Sequence, residues 1–338
     1  MNFINILNHI LRPLEWVVAQ LLTLSHHALV TFGMTAGPSP AWGIAIMCLV
    51  LVIRICLLPL FLSQMRAMQR MQVLQPQIQR IQHKYAARKD PCSKEAMQRE
   101  IMALQQRYNA NPLGSCLPSL IQAPILCSLF YTLQSLPAIA DGNAEPLGGI
   151  DHTMAGDIES SSIFGVRIAD SFGTVASPQS RIIIGVAVAL MCLTLFAIQW
   201  MLIHRNTSKD AMASPQFRVQ KMTAFVFPAI YVVSGATLPF GVLLYWLTNN
   251  LWNLGQTLCQ LRWFPTPGSA AGERKARRDY EQDNRRRAAA GLPSLEEERA
   301  MAAREEAKAR REREKSAASR NRKQHKTPHL AKRSIVKR

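Results

Sequence analysis

The sequence lacks most of the features that an enzyme or a metalloprotein needs. Its seven cysteines form no CxxC pair and no Cys/His cluster, so neither a disulfide framework nor a metal site is predicted. It contains no Walker loop, no HExxH sequence and no Ser/His/Asp grouping. The N-terminus shows no cleavable signal peptide. We therefore expect a protein that is not an enzyme and that carries no cofactor.

Charge is also scarce, and it is unevenly distributed. Only 18% of the 338 residues are charged and 48% are hydrophobic, yet the formal net charge is +18. Long stretches carry almost no charge, and the positive excess falls in blocks between and after them. A bilayer core about 30 Å thick requires about 20 apolar residues per helical span, and several segments meet this requirement. The sequence therefore predicts an all-α, multi-pass protein of the cytoplasmic membrane.

Five segments are predicted to form a five-helix transmembrane core. They are residues 41–63, 112–136, 181–203, 222–238 and 239–262. The last two are separated by little more than Pro239, which predicts a tight hairpin. Residues 1–40 contain an amphipathic stretch followed by a moderately apolar one, Trp16 to Phe32, and this region either lies in the membrane interface or spans the bilayer.

Residues 64–111 are polar, basic and rich in glutamine, and they predict an antiparallel helical hairpin. Pro76 suits the first turn of a new helix, and Lys89, Asp90 and Pro91 suit the turn between two helices. Apolar residues at helical spacing form the two inner faces: Ile78, Ile81 and Tyr85 on one helix, and Met97, Ile101, Leu104 and Tyr108 on the other. Either the two helices pack only on each other, or their basic outer face also docks a partner. The candidate docking residues are Arg66, Arg70, Arg80, Lys84, Arg88 and Lys89.

The distribution of Lys and Arg predicts the topology. The hairpin, the connector 204–221 and the tail 263–338 hold nearly all of these residues, whereas the loop 137–180 has six acidic residues and only Arg167. The positive-inside rule places the first three in the cytosol and the loop outside. Residue 42 must then begin on the outer side, so either the N-terminal region is translocated or it forms an additional span. The tail has no apolar face on which to fold, and we expect it to be disordered or at most transiently helical.

Arg54 is the most informative single residue because it lies near the centre of the first span. A charged group at mid-membrane costs about 2.5 to 3.5 kcal/mol on insertion scales. A structural salt bridge is one explanation, but none of the five spans contains an Asp or Glu. We therefore expect Arg54 to line a water-containing cavity. Other polar residues in the spans, each more often a contact between helices, together predict the same hydrophilic pocket: Gln122, Ser128, Thr132, Gln134, Thr194, Gln199, Asn249, Asn250, Asn253 and Gln256.

Four motifs carry a resemblance to a known family. LVIRICLLPL, MQRMQVLQPQIQRIQHKY, NPLGSCLPSLIQAPILCSLFYTL and LPFGVLLYWLTNNLWN together resemble the YidC/Oxa/Alb family of membrane protein insertases. The similarity covers residues 42–262, and the layout is closest to short members from high-GC Gram-positive bacteria. The sequence departs from the larger Gram-negative members in lacking a large folded outer domain, and it lacks the lipoprotein-type signal of some Gram-positive members.

The resemblance implies a groove that is open to the cytosol and to lipid but closed on the outer face. Arg54 corresponds to the groove arginine, residues 64–108 to the cytoplasmic hairpin, and the N-terminal segment to a peripheral helix on the outer face. Tyr245 and Trp246 match aromatic positions near the substrate path. The candidate groove residues are therefore Arg54, Gln122, Thr132, Gln199, Tyr245, Trp246 and Asn249.

The function that the resemblance implies is insertion and folding of nascent membrane proteins without a nucleotide. Implied partners are the substrates, the ribosome, the Sec translocon and the signal recognition particle receptor. The tail is predicted to bind ribosomal RNA phosphates by counterion release, or else only to fix orientation and contact anionic lipids. Its candidate contact residues are Arg285, Arg286, Arg287, Lys332, Arg333, Lys337 and Arg338. A solute transporter with Arg54 as an anion site is a rival, but it predicts inverted repeats or paired broken helices, which are not evident. A membrane scaffold would leave Arg54 without an explanation.

Overall fold

Helices dominate the structure, which is a computed structural model describing residues 3–88, 90–108, 110, 117–212 and 215–326. The chain divides into two units, residues 1–275 and 276–338. The elements in chain order are α1 Phe3–Thr31, α2 Pro40–Cys56, α3 Leu58–Tyr85, α4 Pro91–Arg107, α5 Leu117–Ala140, α6 His152–Ser160, β1 Ser162–Ile163, β2 Val166–Arg167, α7 Pro178–Arg205, α8 Lys209–Met212, α9 Pro215–Thr237, α10 Phe240–Trp263, α11 Ala270–Ala289 and α12 Leu295–Lys326. Several of these helices begin with proline, whose missing N–H costs nothing in the first turn.

Three helices in the described part of the chain are long and apolar enough to cross a membrane. They are the segments Ile121–Ala140 of α5, Pro178–Arg205, and Phe217–Thr237 of α9, and the bent pair α2–α3 makes a fourth if it is counted as one span. The remaining predicted span, residues 239–262, is the helix α10, which is not among them. Its mean hydropathy is lowered by Asn249, Asn250, Asn253 and Gln256.

The helix boundaries around the first span differ from the sequence-based prediction. The helix breaks at Leu57, inside the predicted span 41–63, and α2 and α3 meet there at 56°. Pro59 in the first turn of α3 explains the break, because its ring clashes with the preceding turn and it has no N–H to donate. The prediction that a new helix begins at Pro76 is wrong, since α3 runs through this residue without interruption.

Packing against α4 explains why α3 tolerates Pro76. Leu74 and Ile78, on either side of the proline, are buried in a cluster that also includes Ile101 and Leu104 of α4. Near the other end of the pair, Lys84 Nζ lies 2.9 Å from Glu100 Oε2. The second half of α3 and α4 are therefore antiparallel neighbours. The hydrogen bond from Lys84 holds the pKa of the Glu100 carboxyl below its ordinary value.

The turn between α3 and α4 ends in a side-chain cap. Asp90 is the N-cap of α4, and its carboxylate accepts a hydrogen bond from the backbone N–H of Ser93 at 2.8 Å. This bond satisfies one of the free N–H groups at the helix start, and it lowers the pKa of the Asp90 carboxyl. Lys89, which was predicted to lie in this turn, falls outside the described residues.

The segment between α5 and α7 folds against the end of the helix bundle where α2 and α10 begin. The β1–β2 hairpin pairs Ser162 with Arg167 and Ile163 with Val166. The N–H groups of Phe240 and Gly241, at the start of α10, donate to the carbonyl oxygens of Asp170 and Ile168 at 2.7 Å and 2.9 Å. These bonds satisfy donors that a helix start otherwise leaves free. The loop therefore caps α10 directly.

Helix α1 packs on α2, on α5 and on the loop after α5. The ring of His26 stacks on that of Trp42, the third residue of α2, with centroids 3.7 Å apart. Gly148, at φ +60°, lies so close that a Cβ there would be 2.9 Å from the carbonyl oxygen of Trp16. The middle of α1 thus lies against the beginning of α2 and the end of α5. The two predicted positions of α1, in the membrane interface or across the bilayer, both stay predictions.

At the opposite ends of these helices, the segment after α10 is joined to the connector after α7. The N–H of Thr266 donates to Asn206 Oδ1 at 2.9 Å, and Ser208 forms an isolated bridge with Ser269. Gln69 of α3 donates to the carbonyl oxygen of Phe264. These contacts hold three separate stretches of the chain together.

The tail was expected to be disordered or at most transiently helical, and its described residues form the helices α11 and α12. The segments are rich in Ala, Arg, Glu and Lys, which are strong helix formers. Ser294 and Glu297 form a reciprocal capping box at the start of α12, with N···O distances of 3.3 Å and 2.9 Å. An ion pair at i,i+4, Arg310 with Glu314, adds to this. Local interactions replace the missing apolar face.

Candidate functional site

A partly buried polar contact joins α2 to α10. Arg54 lies in the last turn of α2, and its Nε donates to Asn249 Oδ1 at 3.0 Å. The Nη2 group of Arg54 donates to the same oxygen. Both residues are half-buried. One amide oxygen therefore accepts two hydrogen bonds from the guanidinium.

A second polar contact joins α5 to α10 on the same face of α10. Gln122 Nε2 donates to the hydroxyl oxygen of Tyr245, which is buried. Tyr245 and Asn249 are four residues apart and therefore neighbours on one helix face. Tyr245 thus lies on the same face of α10 as the partner of Arg54. The structure thus brings together four of the seven candidate groove residues, Arg54, Gln122, Tyr245 and Asn249.

The partner of Arg54 is neutral. Among the described residues, no carboxylate lies within ion-pair distance of this guanidinium. The ion pairs that are present lie in the hairpin, in the loop, between Lys209 of the connector and Glu273, and in the tail. The delocalised guanidinium of arginine stays charged under all ordinary conditions. A full positive charge is therefore held between α2 and α10 by hydrogen bonds alone.

Trp246 is held by an aromatic contact with α9. Its ring stacks on that of Tyr231, with centroids 4.9 Å apart and an interplanar angle of 20°. The side chain of Asn250, which is buried, lies near the Tyr231 hydroxyl. Sequence reasoning missed Tyr231. It could have been found from the hairpin predicted at Pro239, because Tyr231 lies eight residues before that turn and Trp246 seven residues after it.

Two candidate groove residues are not joined to this cluster. Thr132 is fully buried in α5 beside Leu129 and Leu133, and its hydroxyl has no hydrogen-bond partner within the described chain. It is ten residues after Gln122, which is roughly 15 Å along a helix. Gln199 lies half-buried in α7, and no hydrogen bond described in the structure connects it to Arg54 or Tyr245.

The candidate docking residues are mostly exposed on α3 and the turn after it. Arg66, Arg70, Arg80, Lys84 and Arg88 are all exposed. Their charges are not equivalent, because Lys84 is paired with Glu100 and Arg70 also has a partner.

The candidate RNA-contact residues fall into two groups. Arg285 and Arg286 are exposed on α11. Arg287 forms an ion pair with Glu298, and its Nε donates to the carbonyl oxygen of Pro293 at 2.8 Å, so it fixes the turn between α11 and α12. The others lie outside the described residues: Lys332, Arg333, Lys337 and Arg338.

Most of the chain is similar in sequence to known proteins of one family. Residues 34–266 match the family described as 60Kd inner membrane protein. Three relatives are each named membrane protein insertase YidC. The one from Bifidobacterium longum (strain NCC 2705) is 44% identical over 306 residues, which is 90% of this chain and 90% of the relative. The relative from Streptomyces avermitilis is 35% identical, and the match covers 77% of this chain and 59% of the relative. The relative from Tropheryma whipplei (strain Twist) is 30% identical, and the match covers 80% of this chain and 90% of the relative.

One solved structure is also similar, described as an active YidC insertase crystal structure with the first transmembrane domain resolved. It is 23% identical, covers 74% of this chain and 46% of that chain, and has a TM-score of 0.43. A likeness this distant does not assign the fold.

Proposed function

Because the chain belongs to the 60Kd inner membrane protein family, the YidC/Oxa/Alb family of membrane protein insertases, we propose that it inserts nascent integral membrane proteins into the cytoplasmic membrane and helps them to fold. It does this without a nucleotide and without covalent chemistry. The observation that carries the proposal is the contact of Arg54 with a neutral amide, Asn249, instead of a carboxylate.

The proposed topology has five spans, provided by α2 with the start of α3, then α5, α7, α9 and α10. The α3–α4 pair, the connector around α8 and the tail lie in the cytosol. The distribution of Lys and Arg supports this arrangement, as does the acidic segment between α5 and α7.

The groove is proposed to be hydrated and open to the cytosol. A guanidinium in a dry interior without an opposite charge costs several kcal/mol of desolvation that one amide oxygen does not repay. Water in contact with the half-buried Arg54 removes most of this cost. Gln122, Tyr245 and Asn249 supply further polar groups on the same wall.

The charge of Arg54 attracts acidic residues in the outer segment of an incoming substrate. Two opposite unit charges 4 Å apart interact with about 4 kcal/mol at an effective dielectric constant of about 20. Moving one Asp to mid-membrane costs about 2.5 to 3.5 kcal/mol. The attraction is therefore large enough to offset the crossing of one acidic residue. The substrate's apolar helix then slides along the apolar faces of α2, α5 and α10 into lipid, and its burial drives the reaction.

The cytosolic surfaces are proposed to receive the substrate from its source. Exposed arginines such as Arg66, Arg80 and Arg88 form a docking face on the hairpin, and the Sec translocon and the signal recognition particle receptor are its candidate partners. The tail, through Arg285 and Arg286 on α11, attracts ribosomal RNA in a salt-sensitive manner. Attraction of the same residues to anionic lipid is the alternative.

Replacement of Arg54 tests the function. Purified full-length protein in proteoliposomes is given a substrate with two Asp in its outer segment, and a matched substrate with Asn at both positions. We expect Arg54→Ala to insert the acidic substrate roughly tenfold less or worse, since tenfold corresponds to only about 1.4 kcal/mol. Arg54→Lys keeps most of the activity because it keeps the charge.

The Asn-containing substrate is the control for folding and docking, and both variants insert it normally. Equal insertion of the acidic substrate by the Ala and Lys variants would remove the groove charge from the mechanism. Protease protection of the outer segment provides the measurement.

A further inference from the structure

A cavity of 590 Å³ lies between the α2–α3 bend and α10. Its walls include Leu51 of α2, Leu58, Phe61 and Leu62 of α3, and Leu251 and Gly255 of α10. The residues of the polar cluster described above, Arg54, Gln122, Tyr245 and Asn249, are not part of this lining. The cavity is therefore a second feature of α10 with a lining of its own.

The bend at Leu57 creates this cavity. From that residue α3 departs from the direction of α2 by 56° and leaves a gap beside α10. The gap closes again where Gln69 of α3 donates to the carbonyl oxygen of Phe264, just after the end of α10. The cavity is thus bounded along its length by defined contacts.

The lining specifies the chemistry of an occupant. Its surface is almost entirely apolar, although Thr248, Gln256 and Gln260 also contribute to the lining, and its walls belong to helices of a membrane protein. A site with so little polar surface offers few hydrogen-bond partners to water. Its volume lies within the range of roughly 300 to 1,000 Å³ typical of sites for one small ligand. A transmembrane helix is about 10 Å wide, so that roughly one and a half turns would already fill the space. A single hydrocarbon chain fits better than a protein segment.

The polar end of the cavity carries positive charge. Met65 is the lining residue farthest along α3, and the exposed Arg66 follows it directly. On α10, Arg262, which also has a partner within the protein, lies in the sequence between the lining residues Gln260 and Phe264. Two arginines at the end where both helices leave the apolar region complement a phosphate group.

We propose that this cavity binds one acyl chain of an anionic phospholipid, with the phosphate beside Arg66 and Arg262. The inference rests on the shape, lining and flanking charge of the site and does not depend on the insertase function. The lipid fills the gap that the bend leaves between α3 and α10 and so holds the two helices apart at a fixed spacing.

Gly255 offers a direct test, because a Cβ built there meets nothing within 4 Å. Gly255→Leu therefore places its Cβ in open space and extends its side chain into the cavity. Gly185 of α7 is the matched control, since it is also a helical glycine with open space around its Cβ and it does not line the cavity. Leu58→Trp fills the cavity from the α3 side and serves as an independent variant if Gly255→Leu does not fold.

Full-length protein is equilibrated in vesicles of equal parts phosphatidylglycerol and phosphatidylcholine, extracted into detergent and weighed by native mass spectrometry. We expect one retained phosphatidylglycerol on the wild-type protein and on Gly185→Leu, and roughly tenfold lower retention on Gly255→Leu, because the new side chain displaces several methylene groups. Arg66→Gln abolishes the preference for phosphatidylglycerol over phosphatidylcholine.

Three outcomes would overturn the proposal. Equal lipid retention by Gly255→Leu and the wild-type protein would show that the retained lipid is bound elsewhere. Equal retention of the two lipids by the wild-type protein would remove the role of the arginines. A dimer that only the cavity-filling variants abolish would identify a second copy of the chain as the occupant.

Discussion

Asn249→Asp provides the sharpest test of the role of the Arg54 charge. The two side chains have the same shape, so the aspartate oxygen keeps both hydrogen bonds from Arg54. The only change is one negative charge placed beside the guanidinium. At the 3.0 Å separation of Nε and Oδ1, Coulomb's law gives roughly 5 kcal/mol of attraction at an effective dielectric constant of about 20.

The same calculation gives the expected effect on function. An internal carboxylate at this distance competes with an acidic substrate residue that approaches Arg54 from farther away. We expect Asn249→Asp to insert a substrate with two Asp in its outer segment roughly tenfold less than the wild-type protein, or worse. Insertion of the matched Asn-containing substrate stays unchanged. The melting temperature of the variant does not fall below that of the wild-type protein, because a partnered charge replaces an unpartnered one.

Asn249→Ala is the matched control, because it removes the hydrogen bonds without neutralising Arg54. It lowers stability but keeps the preference for the acidic substrate. Insertion rates come from protease protection in proteoliposomes, and stability comes from thermal unfolding in detergent. Wild-type insertion of the acidic substrate by Asn249→Asp would refute the reasoning, since it would show that the guanidinium charge is not used.

Three further predictions follow from other contacts. Tyr245→Phe removes the hydrogen bond from Gln122 and lowers the free energy of unfolding by about 1 kcal/mol, measurable by thermal unfolding in detergent; an unchanged stability would contradict the contact. Ending the chain after Lys275 removes α12 and most of α11 but keeps the segment joined to the connector, and it should abolish the salt-sensitive part of ribosome co-sedimentation; unchanged association would remove the tail from the mechanism. The pKa of Glu100 is held below its ordinary value of 4.5, so its ion pair with Lys84 stabilises the α3–α4 pair above that pH and is lost as the pH falls through the lowered pKa. Lys84→Ala should flatten this pH dependence of stability in hydrogen-exchange measurements from pH 7 to pH 3. An unaltered profile would exclude the ion pair as its cause.

The special position of Arg54 could be predicted from the sequence alone. One basic residue stands near the centre of an apolar run, and no span contains an acidic residue to pair with it. Hydropathy and the cost of a buried charge are enough to identify it as a candidate functional residue. Its actual partner could not be predicted in the same way. Several polar residues of α10 were equal candidates, and only the packing of α2 on α10 selects Asn249.

Long-range packing also decided which other candidates meet. Gln122 and Tyr245 are 123 residues apart in sequence and are joined by a hydrogen bond between two helices. Thr132 was an equally reasonable candidate, but its face of α5 is turned into the apolar core. Helical periodicity gives the relative direction of side chains on one helix, but it does not give the absolute orientation of that helix towards its neighbours.

Proline had different consequences at two positions in the same region. At Pro59 the helix breaks, whereas at Pro76 it continues. A proline removes one hydrogen bond in either place, so the difference comes from the surroundings. Beside Pro76, Leu74 and Ile78 are held against α4, and this burial offsets the loss. Beside Pro59, exposed apolar residues such as Leu58 provide no such support. Sequence rules for proline therefore predict a risk of a break, and tertiary contacts determine the outcome.

The tail shows the opposite limit, where tertiary contacts are not required. Disorder was expected because the segment has no apolar face, but that argument concerns a globular core and not an isolated helix. A capping box at Ser294, ion pairs one turn apart and a high content of helix-forming residues stabilise α12 locally. Such a helix remains highly charged on every side. Because α12 has no apolar face to bury, its basic residues stay available to an anionic partner. Helicity and electrostatic binding are therefore compatible properties of this segment.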